Sequence, residues 1–506
     1  MTFKNLFTLL IMMLGLSISS CKKTSSSAIH IIVEDSPRPN ILWIMIEDWG
    51  PDLSCYGTKG VHTPHIDKLA SEGLRYTNAR TTSPVCSTSR SAMNTGMHQN
   101  YIRAHQHRTA NKKPLPHNIK LMSQHLKDVG YYTTNKSKTD FNFTVENAFD
   151  GSDWSGRKKD QPFCAIVTIS GTHRKWSRDP NRPIDIKDVE IPPYYPDTPY
   201  VRRDWANGLE QMQLVDQQVG ALLKKLDDNG LKENTLVFVI GDHGRCLIRG
   251  KQFLYEGGIK IPLIVRWPAQ IKKSQVLNNH VSAIDITATI LKVAKAKVSY
   301  QLHGINLFDP KINDRKFTFA ARDKMDNTHD AMRAIVGEHS DGKTYKLIHN
   351  LMPERAYCQY NWYKEARYPV LALMNVMYMK GQLNEVQAQF MQPNKPDFEL
   401  FCLSNDPHEI KNLAKNPKHS STFTSLKSKL DNWRKNVIHD QGVSREFRKG
   451  GWPTQYPTAS LTEWENRLTL WKDWVFRTPK SKAKHPAKQF NYLALPEKSP
   501  KKSKKK

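Results

Sequence analysis

The chain has 506 residues, of which 38% are hydrophobic, and its formal net charge is +28. A chain of this length buries a large core and accommodates one large domain with a smaller one attached. The C-terminal tail holds ten lysines and one acid from Lys480 onward, and about +19 remains without it. The tail has few aromatic residues and no nucleic-acid-binding motif occurs elsewhere, so we expect a polyanionic substrate and no nucleic-acid partner.

The N-terminus resembles the signal of a bacterial lipoprotein. Lys4 precedes an apolar run over residues 6–16, which is too short for a spanning helix of ~20 residues. The run is followed by an Ile-Ser-Ser-Cys box that ends at Cys21, and in bacterial lipoproteins this cysteine is lipidated and becomes the mature N-terminus. We therefore predict a signal peptide over residues 1–20, lipidation of Cys21, and an exported protein anchored to the cell membrane or outer membrane, facing the periplasm or the surface. Plain secretion is the alternative.

The folded body begins after a Ser-rich, charged linker over residues 21–37. Residues 41–46 form a continuous apolar run, which is typical of a strand buried on both faces. Thr63 as N-cap, Pro64 at the first helical position and Gly73 predict a helix after it. Apolar patterns predict further strands at 131–134, 165–169, 236–240 and 263–267, and a long amphipathic helix at 204–228.

Strands that alternate with helices predict an α/β fold with a large, mostly parallel central sheet flanked by helices. Such sheets place functional residues at the carboxyl ends of strands. From about residue 345 the pattern changes to short strands at 345–348 and 398–403 and then a helical stretch, which we interpret as a smaller C-terminal α+β subdomain with an antiparallel sheet. The predicted division is a catalytic domain over 38–344, a subdomain over 345–478 and a basic tail over 479–506, whose composition predicts disorder.

The most informative motif extends from Pro84 to Gly96, where Cys86 is followed four residues later by Arg90. A helix closed by Gly96 is predicted after Cys86, so unpaired N–H groups at its N-terminus favour an anion. A cysteine near an arginine is by itself more often coincidence, but this motif resembles the sulfatase signature. In that family the cysteine is oxidised to formylglycine (3-oxoalanine). The resemblance therefore implies this modification of Cys86, with a formylglycine-generating enzyme as partner, although Thr88 stands where Pro or Ala is usual.

Two polar pairs follow predicted strands, Glu47-Asp48 after the first and Asp242-His243 after 236–240. Acidic residues in such positions are more often caps or solvated turns, but carboxylate oxygens are also the ligands that Ca²⁺ and Mg²⁺ require. The sulfatase resemblance implies that these four residues and the formylglycine at position 86 bind one Ca²⁺ ion, with Mg²⁺ as the less favoured alternative. Glu47 departs from the aspartate usual in the family.

Three further segments resemble sulfatase motifs. Lys251 takes the place of the family lysine upstream of a Tyr-Glu-Gly-Gly element, Lys138 that of a lysine after a strand, and His173 that of a sulfate-contacting histidine. Asp140 stands where the family has a histidine, and it is the weaker candidate for the base that helps to expel sulfate. Singly, such lysines are usually solvated and such histidines structural. The residues to which the resemblance assigns catalytic roles are Cys86, Arg90, Lys138, Asp140, His173 and Lys251.

Four residues after the signature helix are candidates for binding a sugar or a uronic-acid carboxylate, namely His98, Arg103, His105 and His107. The His-Gln-Asn tripeptide at 98–100 also resembles heparan N-sulfatases. We expect a sulfatase of the alkaline-phosphatase-like superfamily that hydrolyses sulfate esters of a sulfated polysaccharide, such as ulvan, carrageenan or a glycosaminoglycan. The alternatives are a phosphoester hydrolase of the same superfamily and an inactive cell-surface relative that binds polyanions.

Overall fold

The computed structural model describes residues 37–272, 274–450, 459–481 and 483–490. The predicted signal peptide, Cys21 and the linker up to residue 36 lie outside the described residues, as does the end of the basic tail. Within these ranges, none of the helices combines the length and apolarity needed to cross a bilayer.

The strands, in chain order, are β1 (Asn40–Ile46), β2 (Leu74–Tyr76), β3 (Ala79–Arg80), β4 (Tyr132–Lys136), β5 (Phe163–Ile169), β6 (Thr235–Gly241), β7 (Leu263–Arg266), β8 (Gln275–Leu277), β9 (Val281–Ser282), β10 (Phe317–Arg322), β11 (Met332–Glu338), β12 (Thr344–Asn350) and β13 (Phe398–Cys402). The α-helices are α1 (Pro64–Ser71), α2 (Cys86–Met93), α3 (Met122–Asp128), α4 (Pro199–Asp228), α5 (Glu256–Ile259), α6 (Asp285–Val293), α7 (Trp362–Glu365), α8 (Pro369–Met379), α9 (Glu385–Ala388), α10 (Ser420–Asn436), α11 (Arg445–Lys449) and α12 (Leu461–Val475). Short 3-10 helices lie at Ser54–Tyr56, Trp154–Gly156, Ile186–Asp188, Pro310–Asn313, Gln389–Met391, Pro417–His419 and Pro486–Gln489.

The central sheet has seven strands in the order β4-β5-β1-β6-β7-β2-β8. β1 lies between β5 and β6 and is parallel to both, and β7 runs against its two neighbours. Alternate residues of β1 contribute to two separate hydrophobic cores, one covered by α4 and the other by α3 and α6. The predicted parallel sheet with helices on both faces is therefore confirmed, and the continuous apolar run of β1 reflects burial on both sides.

The long helix α4 begins earlier than the predicted start at residue 204. Thr198 is its N-cap, and the Thr198 hydroxyl accepts a hydrogen bond from the backbone N–H of Val201. Pro199 occupies the first helical position, where the N–H that proline lacks would have had no partner within the helix. The Thr-Pro pair marks the start of this helix in the same way as Thr63-Pro64 marks α1.

A second sheet is antiparallel and has the sequential order β10-β11-β12-β13. The strands predicted at 345–348 and 398–403 correspond to β12 and β13, so the antiparallel C-terminal sheet is confirmed. Its first two strands precede residue 345, so the predicted division at that position runs through the sheet. α10 covers this sheet with Leu426, Leu430 and Trp433.

A buried ion network joins the second sheet to the segment that contains α5. Lys346 on β12 has no exposed surface, and its Nζ lies 2.8 Å from Glu256 Oε1 and 2.7 Å from Glu409 Oε1. Arg80 donates two hydrogen bonds of 2.9 Å to the same Glu256 carboxylate. Because Glu256 begins α5, the network fixes the Tyr-Glu-Gly-Gly element against β12.

Lys346→Met should destabilise the protein strongly, because two buried carboxylates lose their shared cation. Removing one partner of a buried ion pair costs about 3–5 kcal/mol. Lys224→Met is the matched control, since Lys224 pairs with Asp228 on the surface of α4 and such pairs contribute about 0–1 kcal/mol. Thermal and urea unfolding of both variants measure the difference, and equal effects would contradict a stabilising role for the network.

Candidate active site

Cys86 is the first residue of α2, as predicted, and the entire helix is buried. Val85 is the N-cap, has an extended backbone and makes no side-chain cap hydrogen bond. The Cys86 sulfur lies 3.4 Å from Asp48 Oδ1, 3.2 Å from His243 Nε2 and 3.4 Å from Lys251 Nζ. The structure therefore brings the signature cysteine together with one residue from each of three distant segments.

The ends of β1 and β6 place two carboxylates side by side. Asp48 follows β1 with a left-handed backbone, φ +54°, and its N–H donates to Asp242 Oδ1 at 2.9 Å. His243 Nδ1 faces the carbonyl oxygen of Gly244 at 2.9 Å, which directs Nε2 toward Asp48 Oδ1, also at 2.9 Å. Burial lowers the pKa of His243, but Asp242, Cys86 and Asp48 outweigh this effect and raise the pKa to about 10.

Four side chains, including that of Cys86, form a group that could bind a cation. Ligand atoms of Asp48, Cys86, Asp242 and His243 all lie within 4.8 Å of one another. The two aspartates have no exposed surface, and buried carboxylates that face each other are destabilised unless positive charge neutralises them. Glu47 belongs to a second convergent group with Asp48 and His173.

Two buried cations also neutralise the carboxylates. Lys251 Nζ lies 2.8 Å and 2.7 Å from the two oxygens of Asp48. Arg90 Nε lies 3.1 Å from Asp242 Oδ2, and another guanidinium nitrogen donates to Thr168 Oγ1 at 2.9 Å. Lys251 also lies 3.4 Å from the Cys86 sulfur, where its charge would stabilise an oxyanion.

The loop after β6 and the loop around α5 meet through glycines, which helps to bring His243 and Lys251 to the same Asp48 carboxylate. The N–H of Gly244 donates to the carbonyl oxygen of Gly258 at 2.8 Å. A Cβ atom on Gly244 would overlap the carbonyl of Gly257. The Tyr-Glu-Gly-Gly element thus permits a close approach of two backbones.

Lys138 and Asp140 lie on the outer side of the cluster. Lys138 Nζ contacts Glu47 Oε1 and lies 3.3 Å from Asp140 Oδ2. Arg108 donates to both Asp140 oxygens, at 3.3 Å and 3.0 Å. Burial raises the pKa of Asp140, but Arg108 and Lys138 lower it to about 2. Such a carboxylate accepts a proton weakly, so the geometry favours Asp140 as the group that holds two cations at the site.

The side chains in the inner part of the site are buried, and those at its outer rim are partly exposed. We define the rim as the four residues whose side chains are partly exposed, Arg108 (48%), Lys138 (21%), Asp140 (14%) and His173 (32%). His173 Nε2 lies 3.7 Å from Asp48 Oδ2 and 3.2 Å from the Tyr363 hydroxyl. A substrate that approaches Cys86 therefore meets two cations and an imidazole first.

The four predicted substrate-binding residues have different surroundings. His98 is buried and accepts a hydrogen bond from Trp433 Nε1 at 3.3 Å, so it packs α10 against the signature segment. Arg103 and His105 line a cavity of about 530 Å³ that lies between residues 100–106 and residues 438–444. These three residues are not among the contacts of Cys86.

His107 is the member of this set that lies beside the signature helix. Its Nδ1 is 2.8 Å from the hydroxyl of Ser87, and its Nε2 is 3.4 Å from Asp326 Oδ1. Burial lowers the pKa of His107, although Asp326 opposes this shift. His107 thus supports the helix residue next to Cys86.

Two residues of the site were not predicted from the sequence as site residues. Arg108 had the weak signal of following His107 in the same polar segment. For Tyr363 the sequence suggests a possible sugar contact, with surface packing as the favoured interpretation, but nothing local shows that α7 brings it to His173, 190 residues away in the chain.

Comparison with known proteins identifies the class of protein that this fold and site define. A profile of the sulfatase family matches residues 39–157 and 146–296, and a profile described as N-sulphoglucosamine sulphohydrolase, C-terminal, matches residues 241–393. An ulvan-active sulfatase from Formosa agariphila is 34% identical over 450 residues, which cover 78% of this chain and 74% of the relative. N-sulphoglucosamine sulphohydrolase from Homo sapiens is 26% identical over 468 residues, which cover 79% and 90%.

A solved structure shows the same fold. BT1596, a 2-O GAG sulfatase, superposes with a TM-score of 0.58 at 18% identity, covering 83% of this chain and 98% of that one. The chain belongs to the sulfatase family and is a sulfuric ester hydrolase with an alkaline-phosphatase-like fold. Sulfatases use a metal ion, and the cluster around Asp48 and Asp242 is where this chain would bind it.

A divalent cation should stabilise the protein through Asp242. At a free concentration of 100 times its Kd, a cation that binds only the folded state adds about 2.7 kcal/mol to the free energy of unfolding. Thermal unfolding with Ca²⁺ or with Mg²⁺ measures the gain, which Asp242→Asn should abolish. Asp153→Asn, which removes a partly exposed partner of Lys225, should keep it. An unchanged gain in Asp242→Asn would mean that the cation binds elsewhere.

Proposed function

We propose that this sulfatase hydrolyses sulfate esters of a sulfated polysaccharide, or of its oligosaccharides, through a formylglycine formed at Cys86 and a bound Ca²⁺ ion. The observation that carries the proposal is the position of Cys86 at the N-terminus of α2, between Asp48, His243 and Lys251. A residue that must be both nucleophile and metal ligand needs this position, because the helix dipole and the cations favour an anion there.

Oxidation of Cys86 also explains the choice of ion. With the thiol present, the cluster offers sulfur, nitrogen and oxygen, a mixture that suits softer metals. Formylglycine replaces the sulfur by oxygen, and the ligands are then carboxylates, one oxygen of residue 86 and a single imidazole. Oxygen-rich sets of this kind suit Ca²⁺. A formylglycine-generating enzyme is therefore a required partner.

The formylglycine and Ca²⁺ would supply the nucleophilic oxygen and charge stabilisation, and the protein residues do the rest. Lys251, Arg90 and Lys138 present cations to the sulfuryl oxygens from three directions. The S–O bond to the alcohol breaks, and the leaving oxygen takes a proton from His173 at the rim. The sulfuryl group would pass to the oxygen of residue 86, sulfate would then leave with that oxygen, and water would hydrate the aldehyde again, so the products are the alcohol and inorganic sulfate.

The substrate class follows from charge and from the relatives. The relatives described above are an ulvan-active sulfatase and an N-sulphoglucosamine sulphohydrolase, and both names denote sulfated saccharides or their products. The formal charge of +28 attracts an acidic polymer, and half-exposed Arg108 offers a cation at the entrance. The lipoprotein signal would place the enzyme outside the cytoplasm, in the periplasm or at the surface, where such polymers occur.

Sulfate release tests the proposal. The protein, co-expressed with a formylglycine-generating enzyme, should release sulfate in a Ca²⁺-dependent manner from at least one of ulvan, carrageenan and glycosaminoglycan oligosaccharides. Cys86→Ala should abolish release, and mass spectrometry should show the aldehyde at residue 86 of the active protein. Phosphate release with unoxidised Cys86 would instead favour a phosphoester hydrolase, and binding of polyanions without release an inactive relative.

The pH dependence tests the role of Asp140. Because its pKa is held at about 2, its carboxylate stays ionised at neutral and mildly acidic pH. Asp140→Asn should therefore lower kcat/KM by a similar factor, about tenfold, from about pH 5 to 9, since Lys138 loses one of its two carboxylate partners. Asp128→Asn, at an exposed ion pair with Lys120, is the control. If Asp140→Asn removes an acidic limb from the profile, Asp140 is the base.

A further inference from the structure

Tyr363 on α7 brings the C-terminal part of the chain into the active site. Its hydroxyl lies 3.2 Å from Nε2 and 3.4 Å from Nδ1 of His173, and the two rings meet edge to face with centroids 5.4 Å apart. Among the described residues, no other side chain makes a hydrogen bond of normal length to the His173 ring, since Asp48 Oδ2 is 3.7 Å away. The orientation of this partly exposed imidazole therefore depends on Tyr363.

The same ring also contacts the opposite side of the site. The Lys251 ammonium lies 5.1 Å from the Tyr363 ring centroid, within the range of a cation–π interaction. Lys251 in turn holds Asp48 and faces Cys86. Tyr363 therefore touches both the imidazole of the rim and the cation of the inner part.

Asn361 and Tyr368 fix the position of Tyr363. The side chain of Asn361 caps α7 by accepting from the N–H of Lys364, which fixes the turn that carries Tyr363. Tyr368 packs its ring edge to face against Tyr363, with centroids 6.0 Å apart. The Tyr368 hydroxyl is buried and has no hydrogen-bond partner among the residues that the structure describes, so it contributes to packing and not to the polar contacts of the site.

We propose that Tyr363 is a positioning residue for His173: its hydroxyl fixes the imidazole so that a ring nitrogen can give its proton to the leaving oxygen of the substrate. The inference rests on the proposed role of His173 as the general acid. As the S–O bond breaks, its electron pair passes to the leaving oxygen, and the proton from His173 neutralises the charge that develops there. A misplaced imidazole would leave that charge unneutralised.

The dependence of kcat/KM on the leaving group distinguishes a positioning role of Tyr363 from a merely structural role, which would not change that dependence. A leaving phenol of low pKa departs as the anion and needs no proton, whereas one of high pKa depends on the acid. Substituted phenyl sulfates that span a range of phenol pKa values are the probes, so the natural substrate need not be known. Loss of Tyr363 should make log(kcat/KM) fall more steeply with phenol pKa.

The variants are Tyr363→Phe, which removes the hydroxyl alone, Tyr363→Leu, which also removes the ring, and Tyr368→Phe as the matched control. For the poorest leaving group, Tyr363→Phe should lower kcat about tenfold and His173→Gln about 10²-fold or more, with smaller effects for the best. Tyr363→Phe should leave KM nearly unchanged. In the His173→Gln background it should have no further effect, because the hydroxyl acts through the imidazole. Tyr368→Phe should match the wild type.

Each contrary result has a distinct meaning. If His173→Gln leaves the slope unchanged, His173 is not the acid, and the mechanism under the proposed function fails together with the inference. If His173→Gln steepens the slope but Tyr363→Phe does not, the role of Tyr363 is overturned while the mechanism stands. Equal losses for all leaving groups, or additive losses in the double variant, would likewise overturn it.

Discussion

The whole site depends on one electrostatic constraint: two buried carboxylates at the ends of adjacent parallel strands must be neutralised. Asp48 and Asp242 have no exposed surface and are joined by a hydrogen bond of 2.9 Å. Lys251 and Arg90 pair with them, and a bound cation would complete the neutralisation. Because Cys86 lies among these charges, the groups that stabilise the fold at this edge are also those that would stabilise a transferring sulfuryl group.

The C-terminal region is part of the active site and not an appendage. Through Lys346 it fixes α5, whose Tyr-Glu-Gly-Gly element follows Lys251, and through Tyr363 it contacts His173. The second sheet begins at Phe317, and the polypeptide that connects it to β8 of the central sheet includes α6.

The sequence was sufficient for the features that local patterns encode. The apolar runs of β1 and β6 predicted the parallel sheet, and since the carboxyl ends of its strands meet, they also predicted that Asp48 and Asp242 would converge. The contact of Tyr363 with His173 could not be predicted, because no local pattern shows which distant helix covers a site. The same limit applies to His98, whose polar side chain and position suggested a ligand contact, although it packs beneath Trp433.

The complete burial of α2 limits when Cys86 could be oxidised. Once the catalytic domain has folded, no enzyme can reach the sulfur of Cys86, so its oxidation would have to precede folding. The central sheet pairs β1 with β6, so that Ile46 lies opposite Gly241, and such non-local pairing is slow to form. If Cys86 is oxidised as proposed, the time that the sheet takes to form would limit this modification, and a sequence change that speeds folding would lower the fraction of oxidised molecules without altering any residue of the site.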